Sequence, residues 1–184
     1  MTNITKEENQ ISEKLNISKI PLNVTGFYSL NKEQDWVKTL LLELNEKAES
    51  NSPEKNLAST ELTISLEVTK SFKPEYNEYL LIRGHITADY ITICVRTLEE
   101  MNERLELSFN SCFLHERFEK DEAFAEQLEI FEKDEMYELY FYSKGVIELA
   151  RMIHEVIYLN INQYPIKDET SPLPWAKSET DTEQ

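Results

Sequence analysis

His154 and Glu155 begin a pattern like HExxH, in which two histidines one helical turn apart hold zinc and the glutamate activates water. Residue 158 is Tyr, so the second ligand is missing, and Glu155 reads as the polar side of a helix. The other histidines are His85 and His115, and the only thiols are Cys94 and Cys112. None of these falls at a metal-ligand spacing. Cys94 would make a nucleophile pair only if the fold brought a distant histidine to it. A small core thiol is the preferred reading. With three glycines in the chain there is no phosphate-cradling loop and no dinucleotide fingerprint. The acid pairs Asp121-Glu122 and Asp134-Glu135 sit in charged runs, unlike the buried couple that acid/base chemistry needs. The residue types therefore argue against an enzyme, a cofactor and a bound metal, and for binding.

Bases are scarce enough to notice. Lys70, Lys73, Arg83 and Arg96 interleave with Tyr76, Tyr79 and Tyr90. Arginine and aromatic rings on one sheet face can touch phosphates and stack bases. The competing reading, ordinary surface charge plus tyrosines that favour strands, is preferred. The chain carries 35 acids against 19 bases, a net charge of -16. Such a charge repels bare nucleic acid and anionic membranes at long range. Contact with RNA would need a local basic patch or a basic protein in between. Solubility and attraction of basic partners explain the acidity equally well.

The elements that must position these residues follow from apolar spacing. Residues 1–14 are polar and aperiodic, an expected disordered N-terminus with no signal peptide. No run of about 18 apolar residues exists, so no membrane span is expected. Leu15 to Phe27 alternates loosely, and Pro21 restricts it to an edge strand. Asn31 reads as a helix N-cap, with Gln34 three residues on. Trp36, Val37, Leu40, Leu41 and Leu44 then mark an amphipathic helix over Lys32–Glu49. NSPEKN (51–56) reads as a loop. Leu62, Ile64, Leu66 and Val68 alternate in a half-buried strand. A turn at 71–77 leads to a β-rich stretch from Glu78 to Val95, where Gly84 marks a bulge or a close backbone approach. A turn at Glu99–Glu103 precedes a third strand, with Leu105, Leu107, Phe109, Ser111 and Phe113 on one face and Cys112 on the other. Residues 116–138 hold ten acids and three bases. They read as a solvated loop or lid (116–136 by its core), in which Leu128, Ile130 and Phe131 can insert a short strand or helical turn. An aromatic strand, MYELYFY, comes next. Val146, Leu149, Ala150, Ile153, Val156 and Ile157 then mark a second helix, from Ser143 to about Leu159. Residues 167–184 read as a disordered tail.

The segment LIRGHITADYITICVRTLEEM (81–101) resembles the YceD family, the large ribosomal RNA subunit accumulation proteins. It is similar to that family's strand with a glycine, short β stretch and C-x-R-C-L-E motif. On the match Gly84, Cys94, Arg96, Leu98 and Glu99 stand in the family's positions. The order of elements over roughly residues 15–166 fits as well, and Glu148, Leu149, Glu155 and Pro165 match the late helix and its proline. One departure is clear: the motif's second cysteine is Thr97 here, and no cysteine follows Cys112. Members that keep all their thiols resemble a zinc-ribbon set of four ligands, so no zinc is expected in this chain.

The expected architecture is α+β: one domain over 15–166, an antiparallel sheet of about five or six strands with two main amphipathic helices on one side. The resemblance implies a non-enzymatic accessory factor for large ribosomal subunit biogenesis, with cytoplasmic location. Its implied partners are precursor proteins or RNA of the large subunit, a basic protein among them, and no membrane. An acidic interaction module unrelated to ribosomes is the alternative, and the oligomeric state is open. Two roles stand for the Cys94–Met101 turn. It is a recognition point where Arg96 reaches a carboxylate or phosphate, or a hairpin fixed by an Arg96–Glu99 pair.

Overall fold

A computed structural model describes residues 11–124 and 127–167. Of the expected disordered ends, 1–14 and 167–184, residues 1–10 and 168–184 lie outside them, while 11–14 and Lys167 are ordered. The ordered domain starts ahead of Leu15: Ile11 is buried, its carbonyl accepts the Trp36 indole N–H at 3.3 Å, and β1 (Lys14–Asn16) follows. The edge strand read from Leu15 to Phe27 is in fact β1, a 3-10 turn at Ile17–Lys19 and β2 (Thr25–Leu30). Pro21 sits between them, where no strand hydrogen bond is lost.

Helix α1 is Asp35–Lys47, shorter than expected at its start. The Asn31 signal is real, but it makes a turn ahead of the helix. Gln34 Oε1 accepts the Asn31 N–H at 2.7 Å, and Asn31 Oδ1 accepts the Glu33 N–H at 2.8 Å. The 51–56 segment is no plain loop: Pro53 opens the short helix α2 (Pro53–Asn56), where a missing N–H costs nothing. Three long strands follow, β3 (Glu61–Lys73), β4 (Asn77–Ile93) and β5 (Glu100–His115). The acidic segment then contains a hairpin of β6 (Glu129–Glu132) and β7 (Glu135–Tyr142). Lys133 and Asp134, at φ 49 and 66, form its two-residue turn, a conformation that matches the strand twist. A short β8 (Val146–Glu148) precedes helix α3 (Leu149–Asn160).

The fold is α+β. A six-stranded sheet runs in the order β2-β3-β4-β5-β7-β6, and β1 pairs with β8 in a second, two-stranded sheet. All neighbours are antiparallel except β5 and β7. Leu62, Ile64, Leu66 and Val68 of β3, Leu80, Ile82, Ile86 and Ala88 of β4, and Leu105 and Phe113 of β5 face the helices. The buried stripes of α1 (Val37, Leu40, Leu41, Leu44) and α3 (Leu149, Met152, Ile153, Val156, Ile157) close this main core.

A second, smaller core occupies one end of the opposite sheet face: Tyr79, Leu81, Cys112, Leu114, Ile130 and Tyr137. Phe118 and Phe124 of the acidic segment cover it, their rings edge-on at 5.8 Å. The solvated-loop reading of 116–138 is corrected here, because its apolar residues have a sheet surface to bury. Glu132 is buried too, paired with Lys73 and accepting the Tyr79 hydroxyl at 3.2 Å. Glu135 takes Arg83 at 2.7 Å.

Candidate functional site

Gly84 and the four motif residues separate in space. Gly84 lies in mid-β4, opposite Leu66 and Phe109. Ten residues of strand from Cys94 amount to about 33 Å. The register is unbroken, so no bulge forms. A Cβ at Gly84 would come within 2.1 Å of the Phe109 ring. The glycine is needed because that ring lies across the backbone, which makes it a packing position.

Cys94, Arg96, Leu98 and Glu99 share the β4–β5 turn. The ladder continues one step past β4, with Cys94 N–H donating to Glu99 O at 2.9 Å, and Leu98 N–H closes the turn on Cys94 O at 2.9 Å. Leu98 has φ 58. A non-glycine side chain there meets steric resistance of roughly 1–2 kcal/mol, and Leu98 is 70% exposed. An apolar side chain is thus held in solvent at the tip of a strained turn.

The segment after α3 clasps this turn. Val95 N–H donates to Pro165 O at 2.9 Å, Lys167 N–H to Cys94 Sγ at 3.4 Å, and Lys167 Nζ lies 3.3 Å from Glu99 Oε2. Glu99 therefore serves the clasp. The Cys94 thiol is fully buried. It is held down at about 7, first by the Lys167 N–H, then by the Thr97 hydroxyl and the N–H groups of Thr97 and Arg96. Donors aimed at sulfur favour the thiolate. The Thr97 Oγ1 is buried, and no partner meets full hydrogen-bond geometry there. Tetrahedral zinc needs four donors. One thiol and a threonine at the motif's second cysteine position do not fit that metal.

Other chemical candidates stay dispersed. His85 lies on the open sheet face, 3.0 Å from Ser108 Oγ and 3.7 Å from Glu106. His154 faces Glu43 at 3.7 Å, and His115 caps a 3-10 turn through the Arg117 N–H. Among the described residues no three His, Cys, Asp or Glu side chains group as metal ligands. Among them, too, no helix is long and apolar enough to cross a membrane. The supposed RNA face does not assemble. Tyr79 and Tyr90 are buried, Lys70 is buried beside Glu78, and Lys73 and Arg83 are neutralised by Glu132 and Glu135. Burial, then Glu132, pushes the Tyr79 hydroxyl up to about 12.

These features define an α+β protein whose long antiparallel meander ends in a clasped, solvent-facing turn. The family model for YceD, described as large ribosomal RNA subunit accumulation protein, matches residues 82–184, and the chain belongs to this family. Membership supports a role in accumulation of the large-subunit ribosomal RNA. The match starts within β4 and takes in the turn and its clasp, leaving β1, β2 and α1 outside it. No curated protein and no solved structure gives a match.

Proposed function

We propose that the protein is a non-enzymatic accessory factor of large ribosomal subunit biogenesis, acting in the cytoplasm by binding precursor proteins or RNA of that subunit. The β4–β5 turn is its recognition point. The observation that carries this reading is Leu98, an exposed leucine in a left-handed conformation on a turn immobilised by the 165–167 clasp. Strain of this kind survives where the surroundings over-determine it, and it marks binding and switch sites. Arg96, on the same turn, supplies charge for a carboxylate or phosphate. Family membership supplies the biological setting.

Depletion of the protein, followed by ribosome sedimentation and ribosomal RNA gels, tests the reading. Selective loss of large subunits is expected. A Leu98→Gly protein, folded and relieved of strain, is expected not to restore them. An unchanged ribosome profile on depletion removes the ribosomal reading and leaves an acidic interaction module. Full restoration by Leu98→Gly removes the turn as recognition point.

A further inference from the structure

The helix side of the sheet is incompletely covered. Helix α3 reaches β5 at Ser111, whose Oγ lies 3.9 Å from Met152 Sδ. Beyond it the face continues across Phe109, Met136 and Phe131. Phe109 pairs with Gly84, and Met136 pairs with Phe131. The parallel ladder of β5 and β7 begins with Ser111 beside Glu138, and extending that register two residues back points Phe109 toward Met136. Asn110 Nδ2 donates to Met136 O at 3.3 Å across the same step. Phe131 is 62% exposed and Met136 50%.

The next row of this face is Glu129 opposite Glu138. Like charges directly opposite one another destabilise a hairpin. On the other side of the same hairpin, Glu132 and Glu135 are also opposed, but Lys73 and Arg83 neutralise them. Glu129 and Glu138 have no ion pair among the described residues, and both are exposed. Glu138 also takes the Tyr140 hydroxyl, but neither carboxylate has a cation among the described residues, and an apolar strip bordered by such a pair is complementary to a cation next to an apolar side chain. The same carboxylates repel RNA and a second copy of so acidic a chain. They also discourage the strand-to-strand pairing that an exposed edge such as β6 invites.

We propose that Phe109, Met136 and Phe131, with Glu129 and Glu138, form a docking strip for a basic, partly apolar protein segment. Arginine or lysine of that segment bridges the carboxylate pair, and a neighbouring aliphatic or aromatic side chain covers Phe131 and Met136. A strip of this width, on the order of a few hundred Å², fits an extended segment rather than a globular face. It is separate from the Leu98 turn and does not depend on the role proposed for that turn.

The test is titration of the full chain with a synthetic peptide of alternating arginine and leucine, read by calorimetry at two salt concentrations. Saturable binding that weakens with salt is expected. Phe131→Ser should raise Kd about tenfold while keeping the salt dependence. Glu129→Gln with Glu138→Gln should raise Kd and flatten that dependence. Phe131 is exposed, so thermal melting is expected to show both proteins folded. Leu98→Gly should bind the peptide like the unchanged protein, which separates this inference from the turn. Equal affinity of both strip variants and the unchanged protein overturns it. So does tighter binding of a single-stranded RNA oligonucleotide than of the peptide, or a dimer that Phe131→Ser dissociates.

Discussion

At one end of the β4–β5 ladder, Tyr79, Leu81, Cys112 and Leu114 lie beneath the β6–β7 hairpin and two phenylalanines. At the other, Cys94, Val95 and Glu99 are held by a few hydrogen bonds with residues 165 and 167. The two thiols report the contrast. Burial, then the Glu132 carboxylate, pushes Cys112 up to about 12, whereas surrounding N–H donors bring Cys94 down to about 7. Packing stabilises the first end, and directed polar contacts shape the second. A region held by polar contacts can present a side chain for recognition at little cost to the rest of the fold.

The contrast breaks most visibly at Lys73. Lys73→Ala leaves the Glu132 carboxylate buried without its cation, and should cost about 3 kcal/mol in urea unfolding. Glu132→Gln should cost less, because the half-exposed Lys73 then turns to water. Equal midpoints for Lys73→Ala and the unchanged protein would show that the buried carboxylate is not what secures the hairpin. Gly84→Ala, between the two ends, should cost about 2 kcal/mol by overpacking against Phe109. Pairing it with Phe109→Ala should recover part of that loss, measured as a double-mutant cycle.

The third effect depends on pH. Cys94 has a folded value below the ordinary 9.0, so its contribution is fully present above pH 9 and is lost as pH falls to about 7. Cys112 has a folded value above 9.0, so its contribution is intact below pH 9 and is lost as pH rises toward 12. Urea midpoints should therefore climb from pH 7 to 9, and Cys94→Ser should flatten that climb. A flat profile in the unchanged protein would mean that the clasp does not favour the thiolate. The smallest effect belongs to Leu98→Gly, which relieves a positive φ and should leave stability equal or higher by up to about 1 kcal/mol. A clear loss of stability would make Leu98 a packing residue.

The sheet was readable in advance where each strand has one wet face. Leu62, Ile64, Leu66 and Val68 alternate cleanly because β3 has helices on one side and solvent on the other over most of its length. The α1 stripe was equally plain, and so was the cluster of motif residues from Cys94 to Glu99. The aromatic strand at MYELYFY was plain, but its pairing with β6 was hidden, because the turn is Lys133-Asp134 without glycine and each strand carries glutamates three residues apart. Glu132 and Glu135 make sense only beside Lys73 and Arg83, roughly 50 residues earlier, and local pattern holds no trace of that pairing. The clasp was equally hidden, since nothing in Pro165 or Lys167 announces a bond to Val95 or Cys94.

The pairing of β1 with β8 has a temporal consequence. Lys14 to Asn16 bond to strand residues 146 to 148, while β3, β4 and β5 are sequential neighbours that can zip as soon as each emerges. Closing so long a loop is slow and entropically costly. During synthesis the β1 residues lack their strand partners until β8 leaves the ribosome, so the β3–β5 meander can pair before the N-terminal strand is closed in.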